Sequence, residues 1–235
     1  MSFGKLGATE ASNLFNMLRD EEVKWTDDLG INAGVFPLNP DIVNRWALEY
    51  IEAIKSLDGI VIWTPQQWDK AIVSFLNQHA LISNQIEDLL PLDTGSNCWH
   101  YHLNGKKLLI IHPMKNSIDK QCAIFSKLWP GAQLDSWEII KCPYQPWVAG
   151  KTDFTDYFHA LDYMKNEIMK YDFDIAIVGA GAYSLPLLRF IKGLSVPSIH
   201  LGGATQLMFG IRGNRWKVEY SEEWKKDNFY DSSDF

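Results

Sequence analysis

The sequence is poor in cysteine, in long apolar runs and in positive charge, and each shortage excludes a class of protein. Only 3 of its 235 residues are cysteine (Cys98, Cys122 and Cys142), without CxxC or Cys/His metal-ligand spacing. Such a small, odd number is typical of a reduced, intracellular protein and not of a disulfide-rich secreted domain. The apolar runs are too short to span a bilayer, and the N-terminus has no apolar signal region. We therefore expect a cytoplasmic protein without a transmembrane segment.

The charge balance argues against a nucleic-acid partner. The formal net charge is −7, whereas a dedicated nucleic-acid binder would carry a basic face. A composition of 46% hydrophobic and 22% charged residues is ordinary for a folded globular chain. The length predicts one domain over residues 1–235, with a flexible polar tail over about residues 226–235.

Buried β-branched runs alternate with amphipathic helical patterns along the chain. This alternation predicts an α/β fold that is Rossmann-like, with a mostly parallel sheet flanked by helices. Strands are expected at 58–63, 108–111, 137–141, 175–178 and 197–201. Helices are expected to begin at the N-caps Thr9 and Ser117, and to cover about 41–57, 65–77, 155–169 and 185–191. Residues 4–7 are interpreted as a turn.

The most informative stretch runs from Asp172 to Trp216 and forms one strand–helix–strand unit. Gly179 and Gly181 follow its first strand, and Gly202 and Gly203 follow its second. Open α/β sheets bind ligands at the carboxyl ends of their strands, and a helix N-terminus offers backbone amides to a phosphate. The unit therefore predicts a site for a small phosphorylated ligand.

A dinucleotide-binding oxidoreductase of the NAD type is one interpretation of this unit. Ser184 stands at the third glycine position of the fingerprint, and the second strand ends in His200 where an acidic residue would hold a ribose. The unit also lies late in the chain. These three features disfavour the interpretation.

Several side chains near the predicted strand ends could act on a ligand. His112 ends the strand at 108–111, where a histidine is as often functional as structural. Arg212 and Arg215 supply cations that would neutralise a departing diphosphate. Glu10 lies in a first helical turn, where it either favours the helix dipole or is displayed as a functional carboxylate.

Motifs along nearly the whole chain resemble known proteins. The segments GAGAYSLPL and IHLGGATQLMFGIRGNRW are the most distinctive, and KLGATEA, NAGVFP, GKKLLIIHPMKNSI and FHALDYM extend the match. The pattern resembles GT-D-type glycosyltransferases and a group of bacterial and viral proteins associated with surface-polysaccharide assembly.

The resemblance implies a glycosyltransferase with a nucleotide-sugar donor and an oligosaccharide or glycan acceptor. Together with the positions at the predicted strand ends, this hypothesis makes Glu10, His112 and His200 the catalytic residues. The donor-binding residues on the same hypothesis are Gly7, Gly179, Ala180, Gly181, Ala182, Tyr183, Gly202, Gly203, Gln206, Arg212 and Arg215.

The N-terminal motif departs from the family at one position. Lys5, Gly7 and Glu10 match its arginine, glycine and glutamate, but Ala8 stands where the family has an aspartate. One carboxylate is a poor Mg²⁺ or Mn²⁺ site unless other oxygens complete it, so Glu10 is either a metal ligand or the general base for the acceptor. The missing aspartate also keeps a third hypothesis open, a non-catalytic domain of a polysaccharide assembly complex.

Overall fold

A computed structural model of the chain describes residues 1–90, 98–143, 152–212 and 230–231. The strands in these residues are β1 Ser2–Lys5, β2 Gly59–Val61, β3 Leu81–Ser83, β4 Lys107–His112, β5 Ser136–Lys141, β6 Ile175–Val178, β7 Ser198–His200, β8 Ile211–Arg212 and β9 Tyr230–Asp231. The helices are α1 Ala8–Asp20, α2 Asp28–Ile31, α3 Pro40–Ser56, α4 Trp68–Leu76, α5 Lys115–Cys122, α6 Phe125–Leu128, α7 Tyr157–Ile168, α8 Ser184–Gly193 and α9 Thr205–Met208. None of the helices in the described ranges is both long and apolar enough to cross a membrane.

Seven of the strands form one sheet in the order β3-β2-β1-β7-β6-β4-β5. Every neighbouring pair in it is parallel, so all seven carboxyl ends lie along one edge. The predicted α/β class with a parallel, helix-flanked sheet is therefore confirmed. The strands β8 and β9 pair separately.

Two apolar cores cover the two faces of the sheet. Side chains of α1, α3, α4, α7 and α8 pack on the first face, against residues such as Leu109 and Val178. Side chains of α5 and α6 pack on the second face, against Leu108 and Ile177. Neighbouring residues of a strand point to opposite faces, which is why residues 108–111 of β4 and all four residues of β6 are apolar.

At the centre of the sheet, the chain leaves neighbouring strands towards opposite faces. The chain leaves β4 for α5 on the second face, whereas it leaves β6 for α8 on the first. Likewise β1 leads to α1 on the first face, and the residues after β7 lead to Met208 on the second. Loops that diverge to opposite faces leave crevices between neighbouring strand ends, and ligands of open α/β sheets bind there.

Three local predictions are wrong. Residues 4–7 do not form a turn, because Ser2–Lys5 is a central strand in which Gly4 admits the neighbouring chain: a Cβ at Gly4 would lie 3.1 Å from the Cβ of His200. Thr9 is not an N-cap, since α1 is capped by Gly7. Ser117 is not one either, because α5 begins two residues earlier, after Met114.

Only some of the residues in the C-terminal predictions are among the described ones. The predicted tail over residues 226–235 lies outside them, apart from Tyr230–Asp231 in β9. Arg215 and Trp216 also lie outside them. One described strand, β3, lies in a stretch for which the sequence predicted no element.

Candidate functional site

Lys5 ends β1 at the centre of the carboxyl edge. Only 8% of it is exposed, and its Nζ lies 3.9 Å from the ring centroid of Trp63. The Trp63 indole N–H donates to the Leu6 carbonyl at 2.6 Å, which fixes the ring beside the ammonium. A cation over a partly buried tryptophan face is attracted by the ring quadrupole. The fold thus holds a positive charge at the middle of the sheet edge.

Glu10 projects from the first turn of α1 and folds back over Gly7. A Cβ at Gly7 would lie 2.1 Å from the Oε2 of Glu10, so a side chain there would displace the carboxylate from this position. Burial raises the pKa of Glu10, while a hydrogen bond with its own backbone and the charge of Lys5 lower it. Burial also raises the pKa of Tyr50, and the charge of Glu10 raises it further, which locates the two side chains near each other.

His200 ends β7 beside this pair and is neutral. Its Nδ1 lies 2.8 Å from the Val178 carbonyl, and the side chain is 3% exposed. Burial, followed by the charge of Lys5, lowers the pKa of His200 to about 3. Nδ1 faces two groups, the Val178 carbonyl at 2.8 Å and the Gly202 N–H at 3.3 Å. The shorter contact is to a carbonyl, which can only accept, so Nδ1 carries the proton and Nε2 keeps its lone pair. The ring can therefore accept a hydrogen bond through Nε2 at neutral pH.

The glycines after β7 leave the edge open; we call residues His200–Ala204 the β7 tip. Gly202 has a φ of +62°, and a Cβ there would lie 3.1 Å from the Nζ of Lys5. A Cβ at Gly203 would meet no atom within 4 Å. The Thr205 hydroxyl donates to the Gly202 carbonyl at 2.8 Å and fixes the turn. Backbone and cation are therefore adjacent here, with open space beyond Gly203.

His112 and Gly179 mark the crevice between β4 and β6. The Met114 N–H donates to the His112 Nδ1 at 3.1 Å, so a neutral His112 carries its proton on Nε2. A Cβ at Gly179 would lie 2.4 Å from the Thr205 Oγ1 and 2.7 Å from the His112 Cδ2. The absence of a side chain at Gly179 is what lets α9 and the end of β4 approach each other.

The turn after β6, residues Gly179–Tyr183, differs from the expected phosphate loop; we call it the β6 turn. The Ala180 N–H donates to the Ser184 hydroxyl at 2.9 Å, and the Ala182 N–H donates to the Ala33 carbonyl at 2.8 Å. The Gly179 N–H continues the ladder to Ile111 at 2.9 Å. The expectation that this turn offers free amides to a phosphate is therefore wrong for these three amides, because the protein already bonds them.

The β6 turn is tied to the loop after α2. The Tyr183 hydroxyl donates to the Gly34 carbonyl at 3.1 Å, and the Tyr157 hydroxyl donates to the Ala182 carbonyl at 2.9 Å. The rings of Tyr157 and Tyr183 are stacked with centroids 4.4 Å apart. The segments NAGVFP and GAGAYSLPL, distant in sequence, therefore meet in one buried cluster with Tyr157, the residue immediately before FHALDYM.

The structure brings most of the predicted site residues to one edge. Lys5, Glu10, His200 and Gly202 form one group, and Gly179 with His112 lies on the neighbouring strand ends. Gln206 is half-buried in α9 and Arg212 half-buried in β8, whereas Arg215 lies outside the described residues.

The described residues do not by themselves suit a divalent metal. In the described ranges no three His, Cys, Asp or Glu side chains lie together as possible ligands. Glu10 shares its surroundings with the cation Lys5, which opposes a second positive charge.

Three residues that shape the edge were not among the predicted site residues: Lys5, which was only matched to the arginine of the N-terminal motif, Trp63 and Asp69. Asp69 is fully buried, and its carboxylate accepts from the Trp63 N–H at 2.7 Å and from the Thr64 hydroxyl at 2.6 Å. It therefore fixes the loop that holds the Trp63 ring. The available signal was the tryptophan immediately after the buried run at 59–62, at a strand's carboxyl end.

Fold and site together define a class: a parallel α/β protein with a buried lysine, carboxylate and neutral histidine at the carboxyl edge of the sheet. They lie where the chain leaves neighbouring strands towards opposite faces. Comparison with protein-family models, with curated proteins and with solved structures finds no match to this chain.

Proposed function

We propose that this protein transfers a sugar from a nucleotide-diphosphate donor to a hydroxyl group of a glycan. The observation that carries the proposal is the position of Lys5, a nearly buried cation held among Trp63, Gly202 and His200 at the carboxyl edge. A buried cation beside exposed glycine backbone suits a ligand whose negative charge grows during the reaction.

The donor's diphosphate would lie along the β7 tip. Lys5 would neutralise the charge that develops on it as the sugar leaves, and the open space at Gly203 lets a phosphate approach the backbone. The neutral His200 would accept a hydrogen bond from a donor hydroxyl through Nε2. The β6 turn would support this arrangement by packing, since four of its amides are already bonded, including that of Tyr183 to the Ala180 carbonyl.

Glu10 would act as the general base. Its carboxylate takes the proton of the acceptor hydroxyl while that oxygen bonds to the anomeric carbon. The bond from this carbon to the diphosphate oxygen breaks, and its electron pair leaves with the diphosphate. Burial raises the pKa of Glu10, which makes the carboxylate a stronger base than an exposed glutamate.

The test combines calorimetry with one isosteric variant. Titration with UDP, GDP, ADP and CDP, with and without Mn²⁺, is expected to show binding of at least one nucleotide. Glu10→Gln is expected to retain that binding and to lower the rate of transfer by about 10²–10⁴-fold. The exposed Glu52→Gln in α3 is the matched control and should change neither quantity.

Two results would count against the proposal in different ways. If no nucleoside diphosphate binds, the donor site does not exist. If Glu10→Gln abolishes binding, Glu10 holds the donor and another group must be the base.

A second candidate function is donor binding without chemistry, within a polysaccharide assembly complex. Ala8 favours it, because the resemblance implies an aspartate at this position. Hydrolysis of a bound nucleotide sugar in the absence of an acceptor would exclude it. An oxidoreductase remains disfavoured, since β7 ends in a neutral histidine and offers no carboxylate to a ribose.

A further inference from the structure

A groove of about 360 Å³ lies on the second face of the sheet, over β1, β2 and β3. This volume falls within the range of small-molecule sites, about 300–1,000 Å³. The apolar side chains that line it are Phe3, Val61, Leu81, Leu89, Trp99 and Ile199.

The groove owes its shape to a glycine and two aromatic rings. A Cβ at Gly59 would lie 2.1 Å from the ring of Phe3, so the glycine allows this ring to lie over β2. The Trp99 indole N–H donates to the Leu89 carbonyl at 3.3 Å, which orients the second ring. At the rim, Asp88 accepts a hydrogen bond from Ser83 and disfavours an anion. The chemistry of the lining suits an uncharged apolar group.

Strand register connects the groove to the candidate site. Side chains two residues apart on a strand share a face, so Phe3 is followed by Lys5 on β1, and Val61 by Trp63 beyond β2. Two residues of a strand span about 7 Å. The floor of the groove therefore leads along the strands to the Lys5–Trp63 pair at the carboxyl edge.

We propose that this groove binds the apolar aglycone of an amphiphilic acceptor, an alkyl chain, with the acceptor hydroxyl at the Lys5 end. The inference rests on the proposed function, because only a transferase has an acceptor. It adds the substrate class: a glycoside with an apolar tail and not a free sugar.

Alkyl glucosides of increasing chain length test the groove directly. Methyl, hexyl, heptyl and octyl β-glucoside are titrated below their critical micelle concentrations, with intrinsic tryptophan fluorescence and calorimetry as readouts. Each added methylene should tighten binding about fourfold, the equivalent of about 0.8 kcal/mol. Equal affinity for the methyl and octyl compounds would overturn the inference.

Two exposed apolar residues provide the variant and its control. Leu81 lines the groove and is 70% exposed, whereas Phe75 in α4 is 76% exposed and lies outside the lining. Leu81→Glu should weaken octyl glucoside binding at least tenfold, and Phe75→Glu should leave it unchanged. Equal effects of both changes would mean nonspecific adsorption and would overturn the inference.

Two further measurements separate the remaining explanations. If Leu81→Glu shifts the sedimentation behaviour towards a smaller species without changing octyl glucoside binding, the groove is a contact between copies and not an acceptor site. Titration of a nucleoside diphosphate into the same preparation tests the proposed function separately from the groove. Nucleotide binding without chain-length dependence overturns the acceptor inference alone. Chain-length dependence without nucleotide binding overturns the proposed transfer, and the groove is then an apolar binding site but not an acceptor site.

Discussion

The β6 turn and the β7 tip both carry glycines after a buried strand, yet they use them differently. In the β6 turn, Gly179 leaves room for other protein groups, and the amides of Ala180 and Ala182 bond to the protein itself. In the β7 tip, Gly202 accommodates the Lys5 side chain, and the space beyond Gly203 is open.

This difference shows that a glycine-rich strand end does not by itself make a phosphate site. The β6 turn has the more familiar sequence pattern, but its glycine serves close packing. The β7 tip has a weaker pattern, but it combines glycine backbone with a buried cation and a neutral histidine. On the proposed function, the β7 tip would contact the ligand and the β6 turn would support it.

The largest effect we predict concerns the acid sensitivity of the β7 tip. Folding keeps His200 neutral down to about pH 3, whereas the unfolded chain binds a proton near pH 6.5. Between these values the unfolded state binds more protons, so stability is complete above pH 6.5 and is lost as the pH falls towards 3. The loss should reach up to about 1.4 kcal/mol per pH unit, measured by urea unfolding at a series of pH values.

Two glutamine variants test whether His200 causes this dependence of stability on pH. His200→Gln should flatten the acid branch, whereas the exposed His79→Gln should leave it unchanged. An unaltered slope in His200→Gln would show that His200 is not the group held neutral.

The second prediction compares the two glycine positions by the same substitution. Gly179→Ala places a methyl group 2.4 Å from the Thr205 Oγ1, and the resulting overpacking should lower the free energy of unfolding by about 3 kcal/mol. Gly203→Ala meets no neighbour within 4 Å and should change it by less than about 0.5 kcal/mol. Similar losses at both positions, by urea denaturation, would remove the distinction between turn and tip.

The sequence was sufficient to predict the long apolar strands but not β1, a short strand with polar residues at both ends. Residues 108–111 and 175–178 are continuous apolar runs rich in leucine and β-branched residues, and β4 and β6 contain them. β1 is four residues with a glycine inside, and its pairing with β2 and β7 depends on residues far away in the chain. Local pattern cannot supply that information.

Missing β1 also explains why Lys5 was not among the predicted site residues. As part of a turn, Lys5 would be an ordinary solvated lysine, whereas at the end of a central strand it is nearly buried. Glu10, His112 and His200 were predictable because each lies beside an element that the sequence does indicate. The bonding of the β6 turn was not predictable, because its partners Ala33 and Gly34 lie on a distant loop.

The third prediction tests whether Lys5 acts on the β7 tip. The charge of Lys5 is the second cause, after burial, of the lowered pKa of His200. Lys5→Met should therefore raise the pKa of His200 above about 3 while leaving it below 6.5, as followed by NMR titration of its ring protons. The exposed Lys55→Met in α3 serves as control, and an unmoved His200 in Lys5→Met would separate the lysine from the tip.

The smallest effect we predict concerns the hydrogen bond that ties the β6 turn to the Gly34 carbonyl. Tyr183→Phe removes the hydrogen bond to the Gly34 carbonyl but keeps the ring stacked on Tyr157, so the free energy of unfolding should fall by about 1 kcal/mol. Tyr163→Phe, at a position 41% exposed, should have no measurable effect. Because the bond lies in the turn and not in the tip, nucleotide affinity should be unchanged by either variant. A loss of affinity in Tyr183→Phe with unchanged stability would instead assign ligand contact to the β6 turn, and the division of roles between the two strand ends would have to be reversed.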